Sequence, residues 1–340
     1  MNKRLFYATL TILFITFIIF FVNRPQRNDF KMKSQPYDKT KSFSILTANV
    51  GNLDVFDPSC RRVWNKLCDK DVEKRITENI HNLDPDIIVL QEVLAPWQRE
   101  KITERNKKKV CSEDQAIPQV RRLVGSNYSI ICSSRNQFEC IAVKIDVGEI
   151  LGCKLGDLCD TARTAPEIEG CDNGFTISAA TVKLKTGLVF DIVNFHPQST
   201  DANCRARMIA IALEGNETTP SLIQEDKVIL LGDFNLDPWR DDDESVTKWN
   251  EFIELGWNGK NLVYHSGIAE KNPPYYTSFT FYKKRTVDFI VSNFVIGICK
   301  TLGESPFTNR LDGGKGTDHR ALYGILTFQP KYFKEKNDTR

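Results

Sequence analysis

From Phe43 to Phe328 the chain alternates short apolar runs with polar breaks, and this rhythm limits what it can fold into. The runs FSILTANV, DIIVLQEV, YSIICS, ECIAVKI, FTISAATVKL, LVFDIVNFH, KVILLGDFN, YTSFTF, TVDFIVSN and ALYGILTF are rich in Val, Ile and Phe, the pattern of β-strands. Helical patterns are few: DVEKRITENIHNL, NCRARMIAIALEG and DESVTKWNEFIELG. Many strands with few helices predict two packed sheets flanked by helices, not one doubly wound sheet. There is no internal repeat and no second composition regime. The simplest partition is one catalytic-size domain over 42–330, after a polar linker (24–41) and before a polar tail (331–340).

The N-terminus differs. Leu5–Val22 is uncharged and apolar, with Lys3 and Arg4 before it and Arg24 and Arg27 after it. Residues 1–23 fit a signal peptide or a retained membrane anchor. Ten cysteines are present and none forms a C-x-x-C pair, which argues against a zinc ribbon. With an export-type N-terminus they predict disulfides and a membrane-anchored or secreted, extracytoplasmic domain. Cys60–Cys68 and Cys153–Cys159 are the pairs suggested by proximity, and buried free thiols are the alternative. A net charge of +2 supplies no global field for nucleic acid or a membrane surface. The basic stretch REKITERNKKK (99–109) suits either a polyanion or a solvated helix face.

Chemistry gathers where the runs end. Asn49 ends SILTAN, Glu92 ends DIIVLQE, His196 ends FDIVNFH, and Asp233 with Asn235 ends VILLGDFN. Asp288 lies in TVDFIV, and Asp318 with His319 opens the last strand. One such residue reads as a satisfied polar group or a turn. The same feature on six strands reads as a site, because these groups resist burial unless a metal, solvent or hydrogen-bond partner meets them. Two of the four histidines fall in this set, while His81 on a helix and His265 in a loop read as ordinary surface residues.

These residue types suit metal-assisted attack on a phosphate ester. Glu92, with Asn49 and Asp318, offers hard oxygen ligands for Mg²⁺ or Mn²⁺. Asp233 is the candidate to orient and deprotonate water, and Asn235 to donate to a phosphate oxygen. The histidines would donate to a phosphate oxygen or protonate a leaving group, with Asp288 behind His319 and Glu139 behind His196. The i, i+2 spacing predicts Asp233 and Asn235 on one side of an extended strand with Phe234 packed on the other. Asp237, before Pro238, reads as turn chemistry.

The stretches TANV (47–50), LQEV (90–93), NFHPQS (194–199), GDFNLDP (232–238), TVDFIVSN (286–293) and GTDHRALYG (316–324) span nearly all of 43–328. In content and order they resemble the endonuclease/exonuclease/phosphatase superfamily, which includes pancreatic-type deoxyribonucleases, abasic-site endonucleases, neutral sphingomyelinases and inositol polyphosphate 5-phosphatases. The resemblance implies a deoxyribonuclease I-like, four-layer α/β/β/α sandwich of two mixed sheets, with the site at one rim. It also implies a divalent-metal-dependent phosphodiester hydrolase in which the residues above keep the roles proposed. NFHPQSTDA is most similar to the deoxyribonuclease and sphingomyelinase branches. Leu94, however, stands where deoxyribonucleases carry a DNA-contacting Arg, and Arg163 is the nearest counterpart of another family Arg. KKRTVDF does not match the 5-phosphatase motif, and PPYYTSFTFY (273–282) suits either a membrane-contacting hairpin or a core strand. The expected substrate is nucleic acid, with a phospholipid (sphingomyelinase or phospholipase C-like activity) or a phosphomonoester as alternatives, acted on by a monomer. The reading from another class is a non-catalytic, membrane-tethered binding module.

Overall fold

Alternating apolar positions favour strands, and the direction in which those strands pair decides which of their ends meet. The computed structural model describes residues 36–51, 70–93, 117–135, 138–172, 174–257, 260–265, 277–280, 283–302 and 317–329. The chain divides into Met1–Lys33 and Ser34–Arg340, and every described residue belongs to the second unit. The Leu5–Val22 run, Cys60, Cys68, Cys111, Leu94, 99–109, Tyr275, Tyr276 and the 331–340 tail lie outside the described residues. No described helix is long and apolar enough to cross a membrane.

The first half contains β1 (Ser42–Asn49), α1 (Lys70–Leu83), β2 (Ile87–Gln91), α2 (Gln119–Val124), β3 (Tyr128–Ser133), β4 (Cys140–Lys144), β5 (Gly148–Ile150) and β6 (Leu158–Thr164). Then come β7 (Thr176–Leu184), β8 (Val189–His196), α3 (Ala202–Glu214), β9 (Val228–Asp233), α4 (Glu244–Leu255) and β10 (Val263–Tyr264). The last elements are β11 (Ser278–Thr280), β12 (Lys283–Arg285), β13 (Asp288–Ser292), β14 (Val295–Thr301) and β15 (Leu322–Phe328). β11 and β12 form a small hairpin of their own.

The other strands follow the order β10-β13-β9-β8-β7-β6-β3-β4-β2-β1-β15-β14, with β5 on β7. The two expected sheets are therefore two halves of one curled sheet. β6 is the joint: it runs parallel to β3, breaks register between Ile131 and Ser133, and pairs antiparallel with β7 through Arg163 and Thr164. Phe43, Ile45, Ile87, Val89, Ile141 and Val143 of one half share a core with Val182, Phe190, Ile192, Ile229, Leu231 and Ile290 of the other. The alternate residues Val193, Phe195, Val228, Leu230 and Phe289 face a second core with Met208 and Ile209 of α3 and Trp249 and Phe252 of α4. On the other flank α1 buries Val72, Ile76, Ile80 and Leu83, one helical stripe, and Glu73 ties it to Gln119 and Arg122 of α2. The result is the α/β/β/α layering.

Residues 36–41, read from sequence as linker, pack onto the body. The Tyr37 hydroxyl bonds Asp86 and Ser44, and Lys39 pairs with Asp86, because Asp86 is buried beneath them at the start of β2. Disulfides join Cys132–Cys140, Cys153–Cys159 and Cys171–Cys204, and Cys299 is a buried free thiol.

β1 and β2 are parallel, as are β8 and β9, while β15, β4 and β13 run antiparallel to β1, β2 and β9. The C-terminal ends of the first four and the N-terminal ends of the last three thus reach one rim. All the strand-end polar groups singled out in the sequence collect there.

Candidate active site

Beneath this rim a buried amide pair ties the two halves together. Gln91 Nε2 donates to Asn194 Oδ1 at 2.8 Å, and Asn194 Nδ2 donates to the Leu90 carbonyl at 3.1 Å. Gln91 adjoins Glu92, and Asn194 is two residues before His196, so the pair sets the height of both. Gly232 makes room for it: its φ is +129°, and a Cβ there would lie 2.4 Å from Phe195 O and 3.0 Å from Gln91 Nε2. Polar residues inside apolar runs (LQE, VNFH) were the signal for this layer, but its pairing needs the third dimension.

Asp233 lies at the centre, buried at the end of β9. Asn49 Nδ2 donates to Asp233 Oδ2 at 3.1 Å and to Glu92 Oε1 at 3.2 Å. His319 Nε2 stands 3.5 Å and His196 Nε2 4.0 Å from the same Asp233 oxygen. Each imidazole has a carboxylate behind it: His196 Nδ1 bonds Glu139 Oε1 at 2.9 Å, and His319 Nδ1 bonds Asp288 Oδ2 at 3.0 Å. Glu92 Oε1 lies 3.5 Å from His196 Nε2, and Asp318 Oδ2 lies 3.9 Å from His319 Nε2. Asp288 is set in turn by Thr277, whose hydroxyl accepts from the amides of Val287 and Asp288 at 3.0 Å each. The structure therefore brings together Asn49, Glu92, Glu139, His196, Asp233, Asp288, Asp318 and His319.

The electrostatics follow from this crowding. Burial pushes His196 down, but its bonds to Glu139 and Glu92 outweigh that and raise it to about 9. His319 is also pushed down by burial, yet the charges of Asp288, Asp233 and Asp318 hold it well above the ordinary histidine value. For both rings the neighbouring carboxylates favour the imidazolium form, in which Nε2–H would point toward the centre. Burial raises the Asp233 carboxyl, the His319 charge opposes this, and the Asp288 charge adds to it.

Some expectations change. Asn235 does not continue the strand: β9 ends at Asp233, and Asn235 has φ +53°, in the left-handed region. The i, i+2 geometry of an extended strand is thus lost, and Asn235 Nδ2 donates to Pro197 O at 3.0 Å, bracing the loop after His196. Asn49 Oδ1 accepts from Gly51 N at 2.9 Å, so its amide stands as a donor to two carboxylates. His265, expected at the surface, is buried, because Ile290 and Cys299 take up its backbone amide and carbonyl. Arg163 faces away from the site, with its guanidinium on Asp191 at 2.5 Å and on the Thr181 hydroxyl. Phe234 packs away from the rim, stacked on Phe195. Asp237 accepts from Trp239 N and Thr286 N, the turn role expected of it. His81 is exposed on α1. Glu92 has φ +62°, a cost of about 1–3 kcal/mol that its neighbours must hold in place. Phe175, unforeseen from sequence, sets its ring edge-to-face against His196 at 5.1 Å.

A divalent cation fits the oxygen set better than the imidazole set. Asp233, Asp288 and His319 offer ligand atoms within 4.8 Å of one another, but both His319 nitrogens already face carboxylates. Glu92 and Asp318 flank the centre with 16% and 14% of their side chains exposed, which suits a hard ion that keeps waters.

Among solved structures the chain is similar to the human Nocturnin catalytic domain, at 14% identity and TM-score 0.52 over 85% of this chain and 95% of that one. It is also similar to an endonuclease/exonuclease/phosphatase family protein from Bacteroides thetaiotaomicron, at 18% identity and TM-score 0.51 over 87% and 99%. A third is ANGEL2, described as a 2′,3′-cyclic phosphatase, at 14% identity and TM-score 0.51 over 88% and 99%. These likenesses show the fold. No curated protein sequence matches significantly. The Endonuclease/Exonuclease/phosphatase family model matches residues 46–319, and the chain belongs to that family.

Proposed function

We propose that the chain is a divalent-metal-dependent phosphodiester hydrolase of nuclease-like type. The observation that carries this reading is the buried Asp233 carboxylate between two imidazoles, each backed by its own carboxylate. Asp233 orients a water and takes its proton as the water oxygen attacks phosphorus in line with the leaving oxygen. Burial raises the Asp233 carboxyl, which makes it the better base. The Nε2–H groups of His196 and His319 face the same space. One donates to a non-bridging oxygen, and the other gives its proton to the leaving oxygen as the P–O bond breaks. Glu139 and Asp288 hold the rings in orientation, and Asn235 borders the phosphate. Mg²⁺ or Mn²⁺, held by Glu92 and Asp318, would neutralise phosphate charge.

Nucleic acid is the first substrate class; the NFHPQSTDA segment is similar to the deoxyribonuclease branch as well as to the sphingomyelinase branch. A phospholipid headgroup is the second, because the Leu5–Val22 run would place the domain at a bilayer. The disulfides support an extracytoplasmic location. The test is to incubate the purified full chain with DNA, RNA, RNA ending in a 2′,3′-cyclic phosphate, sphingomyelin and inositol phosphates, with Mg²⁺ or with chelator. Cleavage that needs the metal and is lost in His196→Ala and His319→Ala supports the reading. Cleavage indifferent to chelation and to both substitutions, or none of any phosphoester, refutes it.

A further inference from the structure

The His196 imidazole is held between two segments, and each is closed by a disulfide within a residue or two of the group that matters. Glu139 sits at the mouth of the β3–β4 hairpin. Cys132 and Cys140 are cross-strand partners there, with Cα atoms 4.1 Å apart, and their disulfide closes the hairpin one residue from Glu139. Noncovalent restraints act on Glu139 as well: its side chain is buried, Ser133 N donates to its carbonyl at 2.9 Å, Ser133 Oγ stands 3.4 Å from Oε2, and Val93 N donates to the carbonyl of the preceding Phe138 at 3.2 Å. Of the SSRNQF loop that the hairpin carries, Ser134 N donates to the Thr164 hydroxyl and Arg135 to the Ala165 carbonyl, while 136–137 lie outside the described residues. The Cys140 carbonyl also accepts from Asn194 Nδ2 at 3.4 Å, so this disulfide touches the amide pair beneath the site.

On the other side, the loop after His196 leads into α3. The Gln198 side-chain oxygen accepts from Asp172 N at 2.9 Å, and Asp172 follows Cys171. Cys171 is bonded to Cys204, in the first turn of α3, where Asp201 caps the Cys204 amide at 3.0 Å. The Arg205 guanidinium then holds the Gln198 and Ser199 carbonyls at 3.2 and 3.1 Å. Cutting Cys171–Cys204 removes the covalent tie between the 165–172 segment and α3, leaving the 3.4 Å contact of Arg207 with the Glu169 carbonyl and the packing of Ile168, and so loosens the strap that fixes the ring from its C-terminal side. That segment leads directly into Phe175, which packs on the imidazole. The third disulfide is different. Cys153–Cys159 closes the loop between β5 and β6, whose bonds run to Ser129 and Ile130.

We infer that Cys132–Cys140 and Cys171–Cys204 are positioning elements for His196, so that turnover of the phosphodiester depends on their being oxidised. The inference rests on the proposed hydrolase reading. The physical reason is tolerance: a catalytic group must stay within a fraction of an ångström of its working position, and a misplacement of about 1 Å can cost on the order of a hundredfold. A hairpin mouth and a loop strap, once opened, allow movements of that size without unfolding the sheet. The device is a lock suited to an oxidising compartment, inactive wherever thiols are kept reduced.

The test uses the full chain and three paired variants: Cys132→Ala with Cys140→Ala, Cys171→Ala with Cys204→Ala, and Cys153→Ala with Cys159→Ala. The third is a matched control, since its sequence separation of 6 is close to the 8 of Cys132–Cys140, giving a similar unfolded-state effect. At a temperature where circular dichroism shows all folded, the first two should lose about tenfold or more in kcat, with KM within about threefold, and the control should stay within about twofold. In ¹⁵N-histidine-labelled protein, the His196 Nδ1–H resonance bonded to Glu139 should persist in wild type and control and exchange with solvent in the first two. Wild-type kcat in both clamp variants, or an equal loss in the control, overturns the inference. If a clamp variant does not fold, wild type is titrated with reductant, and alkylated cysteines are mapped against activity. Activity should fall as either clamp opens, and full activity with a clamp open overturns the inference. A wild type that cleaves nothing sinks the hydrolase reading instead, and the histidine resonance then decides the positioning claim alone.

Discussion

Replacing Gly232 by Ala tests the layer that supports the site. Two costs can be read from the structure. Gly232 has φ +129°, a conformation that an L-residue enters only under strain of about 1–3 kcal/mol. The added Cβ would also meet Phe195 O at 2.4 Å and Gln91 Nε2 at 3.0 Å. The first of these is backbone in the neighbouring strand, so relief requires β8 and β9 to part or the Gln91–Asn194 pair to break, an overpacking cost of about 1–3 kcal/mol. Together these predict a loss of roughly 2–6 kcal/mol. Gly152 separates the two costs. Its φ is +82° but nothing lies within 4 Å of where a Cβ would stand, so Gly152→Ala should lose only about 1–2 kcal/mol. Urea unfolding of both variants and wild type gives the values directly. Because Gly232 adjoins Asp233, kcat should fall in Gly232→Ala and not in Gly152→Ala. If Gly232→Ala costs no more stability than Gly152→Ala and retains wild-type kcat, the proposed support of Glu92 and His196 by this layer is wrong.

Glu139→Gln keeps the shape and removes the charge behind His196, and should lower kcat by about 10²- to 10⁴-fold in a steady-state assay, while a loss under threefold would contradict its role. Burial holds His265 below the ordinary histidine value, so the unfolded chain takes up a proton that the folded chain refuses as pH falls below about 6.5. Wild type should therefore lose stability relative to His265→Phe between pH 7.5 and 5.5, and parallel urea midpoints across that range would count against it. Arg163→Ala leaves the buried Asp191 carboxylate without its guanidinium and should cost about 3 kcal/mol in urea unfolding, with kcat per folded molecule unchanged within about threefold.

Much of this was legible in the residues. The polar groups ending apolar runs converge on one rim because strand direction is enough to bring them there. The stretches matched to the family lie on β1, β2, β8, β9, β13 and β15 or at their ends. Strands with weaker patterns were missed: LCDTART of β6 is polar because it is the joint between the halves, and VIGICKT of β14 exposes Ile296 and Ile298 at an edge. His265 could not be placed from sequence, since what buries it comes from β13 and β14. The extended geometry expected at Asn235 fails for a local reason: the strand ends at Asp233, and two residues on the backbone turns left-handed. The Gln91–Asn194 pair joins residues 103 positions apart, and a single sequence carries no register between them.

The central claim is that Asp233, between two carboxylate-backed imidazoles, is the base that activates water. Asp233→Asn keeps the side chain's shape and its approach to Asn49 while removing the proton acceptor. With the fold verified by circular dichroism, kcat on the best phosphodiester substrate should fall on the order of 10³-fold, with little change in KM. A variant retaining more than about a tenth of wild-type kcat would contradict the account.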